Sequence, residues 1–126
     1  MKVEIQDQFD PVAAIKTLRS NANDIQKLGE GIKKKRLKLS LAKAALADKE
    51  KELRDQVFEG KVEIQATKLR DWMKWKAAAE QSEVDDLVDK IKVLESDLNI
   101  LIEINNTVKF SHKIWEMEMK HLNYES

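Results

Sequence analysis

The chain has 126 residues, enough for one domain, and its 23 basic residues are matched by 23 acidic ones, so no global positive charge draws it to nucleic acid. Three glycines and one proline are too few to punctuate a β-sandwich or barrel, which turns about every 8–12 residues. The absence of cysteine excludes disulfides, thiolate metal sites and a cysteine nucleophile.

Residues 1–9 alternate briefly, Val3 and Ile5 against Lys2, Glu4 and Gln6, and are expected to form a flexible N-terminus. Charges in this stretch stand where a signal peptide would be apolar. Asp10-Pro11 reads as an N-cap followed by a proline at the first helical position, where its missing N–H costs nothing. Val12, Ile15, Leu18, Ala22, Ile25 and Leu28 then recur at spacings of three and four. They predict a first helix over 10–29, stopped by Gly29 or Gly31.

A second helix is predicted over 32–58. Ile32, Leu39, Leu46 and Leu53 recur every seven residues, with Ala42, Ala45 and Val57 beside them, an interval that favours coiled-coil-like packing. Gly60 marks its end. The connection 59–66 has Val62 and Ile64 in a locally extended stretch. Thr67 is placed to cap a short third helix carrying Leu69, Trp72, Met73 and Ala79.

Ser82-Glu83-Val84-Asp85 fits a capping box and predicts the start of a fourth helix over 83–122. Val84, Leu87, Ile91, Leu94, Leu98, Leu101, Asn105, Val108, His112, Trp115, Met119 and Leu122 alternate spacings of three and four without a slip. About 40 residues at 1.5 Å each make a helix of roughly 60 Å. Its seam, for a hairpin or an oligomer, is expected at Ile91, Leu98, Leu101, Asn105, Val108, His112 and Trp115. Val93, Ile100, Ile104, Ile114 and Met117 widen the apolar face beyond one stripe, which calls for short helices of the same chain or for further copies. The fold expected is all-α: an antiparallel, coiled-coil-like hairpin of long helices with two shorter helices, in one domain that forms a homo-oligomer. No apolar run reaches the roughly 18 residues of a membrane span, so neither a membrane partner nor a location outside the cytoplasm is expected.

Charge is sorted along the chain. Between Gly31 and Arg54 nine basic residues face three acidic ones, leaving +6; between Ser82 and Asn105 seven acidic residues face two lysines, leaving −5. One explanation is that opposite charges set the pairing of two helices. The other is that part of the basic helix meets phosphate, with Lys33, Lys34, Lys35, Arg36 and Lys38 spread over more than one turn. Trp72, Trp75 and Tyr124 are aromatic enough to stack on unpaired bases, although helical spacing also suits Trp72 and Trp75 to packing.

Asn105 and His112 occupy seam positions otherwise apolar, where a polar residue fixes register or oligomer state at a cost in stability. His121 lies nine residues from His112, too far along one helix to share a metal with it. Glu116 reaches His112, but one histidine and one carboxylate do not make a metal site. No metal and no cofactor are expected. The sequence has no Gly-rich phosphate loop, nucleophile elbow or HExxH, and Ser111 and His112 point about 100° apart on a helix. The chain reads as a protein other than an enzyme.

The order of parts resembles a known family. A lysine-rich helix (IKKKRLKLSLAKAALADKEKELRDQVFEGK) leads to a connection and a short helix with tryptophan (TKLRDWMKW), then to a long helix ending LESDLNILIEINNTVKFSHKIWEMEMKHL. Over about residues 30–123 this is similar to the recombination mediator proteins of T-even-like phages, the UvsY type. Their last helix also runs from an apolar heptad segment into an amide-, aromatic- and base-rich end, here Leu98 to Leu122 with Asn105, Lys109, Lys113 and Trp115. The resemblance implies rings of helical hairpins that bind single-stranded DNA in the host cytoplasm, displace a single-strand-binding protein and help a recombinase form its filament. It also implies basic contacts just ahead of the hairpin connection, matched here by Lys51 and Arg54 with Lys49 nearby. This sequence departs from that pattern by interleaving Asp48, Glu50 and Glu52. The residues expected at DNA are thus Lys33, Lys34, Lys35, Arg36, Lys38, Lys51 and Arg54, with Trp75 as a stacking side chain. The competing expectation is a protein-interaction module, an inhibitor of a host factor or a coiled-coil scaffold, whose lysines are merely solvated.

Overall fold

The computed structural model describes the backbone of residues 9–125 and the side chains of residues 9–123. The expectations for residues 1–8 and for the Tyr124 side chain lie outside the described residues. Among the described residues the protein is all-helical: α1 (Pro11–Phe58), a 3-10 turn (Ala66–Lys68), α2 (Leu69–Lys76) and α3 (Ala78–Glu125). No helix among them is long and apolar enough to cross a membrane.

The start of α1 follows from its sequence. The Asp10 carboxylate accepts hydrogen bonds from the N–H groups of Val12 (3.0 Å) and Ala13 (3.2 Å), the second and third residues of the helix, while Pro11 has no N–H to satisfy. The end is equally local. Gly60 adopts φ +74°, and the amides of Gly60 and Lys61 donate back to the carbonyls of Val57 (3.2 Å) and Gln56 (3.0 Å). This pair of reversed bonds is the Schellman closure, which needs a residue tolerant of left-handed backbone.

Between these ends the expected break at Gly29 or Gly31 does not occur: 10–29 and 32–58 belong to one 48-residue helix. The reason is a seam that never changes phase. Ala14, Leu18, Asn21, Ile25, Leu28, Ile32, Lys35, Leu39, Ala42, Leu46, Lys49 and Leu53 step by four and three, and every one is buried or half-buried. Two glycines cost a helix interior about 2 kcal/mol relative to alanine. Burying Ile32 after them contributes roughly 1.5–3 kcal/mol, and the half-buried Leu28 before them adds part of such a gain. Packing wins.

Two further expectations are corrected at α2 and α3. Thr67 lies within the 3-10 turn, and Lys68 stands at the N-cap of α2 without a side-chain cap bond. The Ser82–Asp85 capping box does not begin α3, which already starts at Ala78. The junction is instead Ala77, with φ −99° and ψ 14°. Its N–H closes α2 on Met73 O (2.9 Å), and its carbonyl accepts from Gln81 N–H (3.0 Å) to open α3. Ala77 is also buried, so the corner carries a residue small enough for close packing.

The chain divides into two compact units. One is Gly31–Leu94. Its core is Ala42, Val84 and Leu87, with Leu39, Leu46 and Val88 packed against them. Ile32, Leu53, Ala77 and Ile91 are buried too, Leu53 most completely at 2% exposure. The other unit takes in the described residues up to Glu30 and those from Glu95 onward. Here Ala14 and Asn105 are buried. Asn21 Nδ2 donates to Asn105 Oδ1 at 2.8 Å, so the seam amide expected to set register finds an amide partner.

Phe9, the last residue of the expected N-terminal segment, makes ring contacts with α3. Its ring lies edge-on to His112 (centroids 6.1 Å apart) and tilted on Trp115 (6.0 Å), and those two rings are 5.9 Å from each other.

Candidate nucleic-acid interface

The basic cluster belongs to the part of α1 within Gly31–Leu94. Its seam residues Ile32, Leu39 and Ala42 face the core, so a 100° step per residue turns Lys33, Lys34 and Lys38 outward. All three are exposed, and none has an ion-pair partner among the described residues. Arg36 is exposed as well. Lys35 differs: it occupies a seam position and is half-buried, so its stem covers apolar surface while the ammonium reaches for water. Leu37 and Leu41, each 64% exposed, share the outward side with the lysines.

Lys51 and Arg54 stand elsewhere. Lys51 and Lys61 line a shallow cleft of about 510 Å³ together with Asp48, Glu52, Asp55 and Glu59, so four carboxylates that repel phosphate outnumber two lysines. The Arg54 Nε–H donates to the Glu50 backbone carbonyl at 3.4 Å. Of the acids that the sequence interleaves here, Asp48 and Glu52 share the cleft with Lys51.

Trp75 is 69% exposed, with the Lys76 ammonium 4.6 Å from its ring centroid. Trp72, by contrast, is half-buried. The surroundings of Trp75 hold a feature that the sequence reading passed over. Lys68, Arg70, Lys74 and Lys76 lie within nine residues that contain one acid, Asp71, and all four are exposed. The core spacing of Leu69, Trp72 and Met73 masks this charge in the sequence, where basic residues interleaved with aromatics are the signal. Arg70 and Lys74 line an open groove of about 880 Å³ floored by Leu46, Leu69, Met73 and Ala77, with Glu50 and Asp85 also on its rim.

The expected seam divides by depth. Ile91 and Asn105 are buried, whereas Leu98, Leu101, Val108, His112 and Trp115 are half-buried. His112 Nδ1 lies 3.3 Å from Glu116 Oε1, the i,i+4 contact that helical spacing allows. Among the described residues no group of three or more potential ligands gathers around a metal-sized site.

No protein-family model, no curated protein and no solved structure matches the chain.

Proposed function

We propose that the protein is a non-enzymatic binder of single-stranded DNA of the recombination-mediator kind, assembled as an oligomer of helical hairpins. It would hold the strand while other surfaces engage a recombinase and a single-strand-binding protein. The observation that carries this reading is the outward trio Lys33, Lys34 and Lys38, exposed and without ion pairs among the described residues. Support for single rather than double strands comes from Trp75, since an exposed indole flanked by lysines offers a stacking platform to unpaired bases. Lys51 and Arg54 carry less of the proposal, because carboxylates crowd the first and a backbone carbonyl engages the second. Weak contacts repeated around an oligomer would add through effective concentration.

The test is a salt titration of binding to a fluorescent oligonucleotide. Phosphate contact predicts a log-linear loss of affinity with salt, the slope falling by about 0.7 for each lysine removed on a single strand. Changing Lys33, Lys34 and Lys38 to Glu together should abolish binding with helicity unchanged. Trp75→Ala should weaken binding roughly 5- to 150-fold while leaving the salt slope in place. Absence of binding at low salt removes the proposal and leaves the reading as a protein-interaction module, which the exposed apolar side chains of α3 favour.

A further inference from the structure

In the unit that contains Glu95 onward, α3 carries a second apolar column facing away from the buried one. The inner column is Leu98, Leu101, Asn105, Val108, His112 and Trp115, all buried or half-buried. The outer one is Ile100, Ile104, Phe110, Ile114 and Met117, between 40% and 66% exposed. Together these five side chains leave on the order of 500 Å² of apolar surface in water, the size at which patches on soluble proteins mark interaction sites. Two copies joined through it would bury on the order of 1,000 Å², the lower limit for a specific interface.

We infer that this column is the contact with a second copy of the chain, and that the two α3 helices run parallel in it. The inference rests on the proposed self-association and adds its surface and direction. Read in sevens, Ile100, Thr107 and Ile114 fall at one core position and Phe110 and Met117 at the other, so β-branched residues fill the position that they favour in parallel pairs. Charge decides the direction. Lys113, exposed, and Glu118, half-buried, flank the column five residues apart, the offset at which side chains meet between parallel helices. Neither has an ion-pair partner among the described residues. Parallel pairing joins Lys113 to Glu118 of the second copy, twice by symmetry. Antiparallel pairing brings flanking positions of the same kind together, and on the Glu118 side the other acid is Asp97. One residue opposes the contact: Glu103 falls in the core column, where it faces its own copy.

The chain has no cysteine, so Ile100→Cys and Ile114→Cys each introduce a single thiol into the full-length protein. The expected result under mild oxidation is a disulfide-linked homodimer from each variant alone. Crosslinks joining one variant to the other, formed in preference when the two are mixed, would overturn the parallel direction. Light scattering should show that Phe110→Glu raises the dissociation constant on the order of a hundredfold, with the circular dichroism of an unaltered helix. Glu103→Leu should lower it at least about tenfold by replacing facing carboxylates with apolar contact, a gain that loss of folding cannot mimic. An oligomer that survives Phe110→Glu and gives no disulfides would sink this surface and leave self-association standing. A monomer at high protein concentration would remove both, whatever the oligonucleotide titration shows.

Discussion

Replacing Asn105 tests whether one amide pair sets the alignment of α1 and α3 in their shared unit. Asn105 is 7% exposed and accepts from Asn21 at 2.8 Å. Asn105→Ala removes a hydrogen bond worth about 1 kcal/mol and strands the Asn21 amide, which costs a further 1–3 kcal/mol or so in full burial. Asn21 is only half-buried, so water recovers part of that, and the expected loss is about 2 kcal/mol. Replacing both residues by leucine has the opposite sign. No donor is orphaned, and a leucine at the buried position 105 contributes roughly 1.5–3 kcal/mol, less at the half-buried position 21, while a polar contact that penalises a shifted register disappears. Urea denaturation followed by circular dichroism, at one protein concentration because assembly itself stabilises, measures both variants and the Asn21→Leu and Asn105→Leu singles. The cycle should give a coupling of about 1 kcal/mol or more. A coupling near zero, with Asn105→Leu alone as stabilising as the double change, would refute the reasoning.

Two glycine contrasts and one core deletion check the remaining energetics. A Cβ at Gly29 or Gly31 meets nothing within 4 Å, and both lie inside α1, so Gly29→Ala and Gly31→Ala should each raise the unfolding free energy by about 0.4–1 kcal/mol. Gly60→Ala should lower it by about 1 kcal/mol in the same urea titration, since the residue holds φ +74° and a side chain strains there. Leu53→Ala, at the least exposed side chain of the core, should cost about 2–5 kcal/mol. Hydrogen exchange should place its effect on amides of Gly31–Leu94; uniform loss of protection through both units would contradict their description as separate compact units.

Much of the architecture was legible because it depends on atoms close along the chain. The caps at Asp10 and Gly60 are decided within five or six residues, by a short polar side chain that accepts the first free amides and by a residue that tolerates left-handed backbone. The three-four alternation from Val84 to Leu122 likewise declares α3, because a helix buries one stripe whatever lies opposite. Composition excluded sheets through the shortage of turn-formers. Local rules failed where two of them competed. Gly29 and Gly31 look like stops to a reader of turns, and Ser82 looks like a start to a reader of caps.

What only tertiary structure decided is which rule gives way and which distant side chains meet. α1 runs through its glycines with Leu28 half-buried before them and Ile32 buried after them. Ala77, an ordinary residue in the sequence, becomes the corner between α2 and α3. Asn21 was hidden among polar residues of the first helix until Asn105, 84 positions away, came into hydrogen-bonding distance. The lysines followed the same division: their number was plain, but exposure separates Lys33, Lys34 and Lys38 from Lys35, and neighbouring carboxylates set Lys51 apart. Helix propensity and capping act over a few bonds, whereas burial and Coulomb energy depend on distances that the folded chain alone defines.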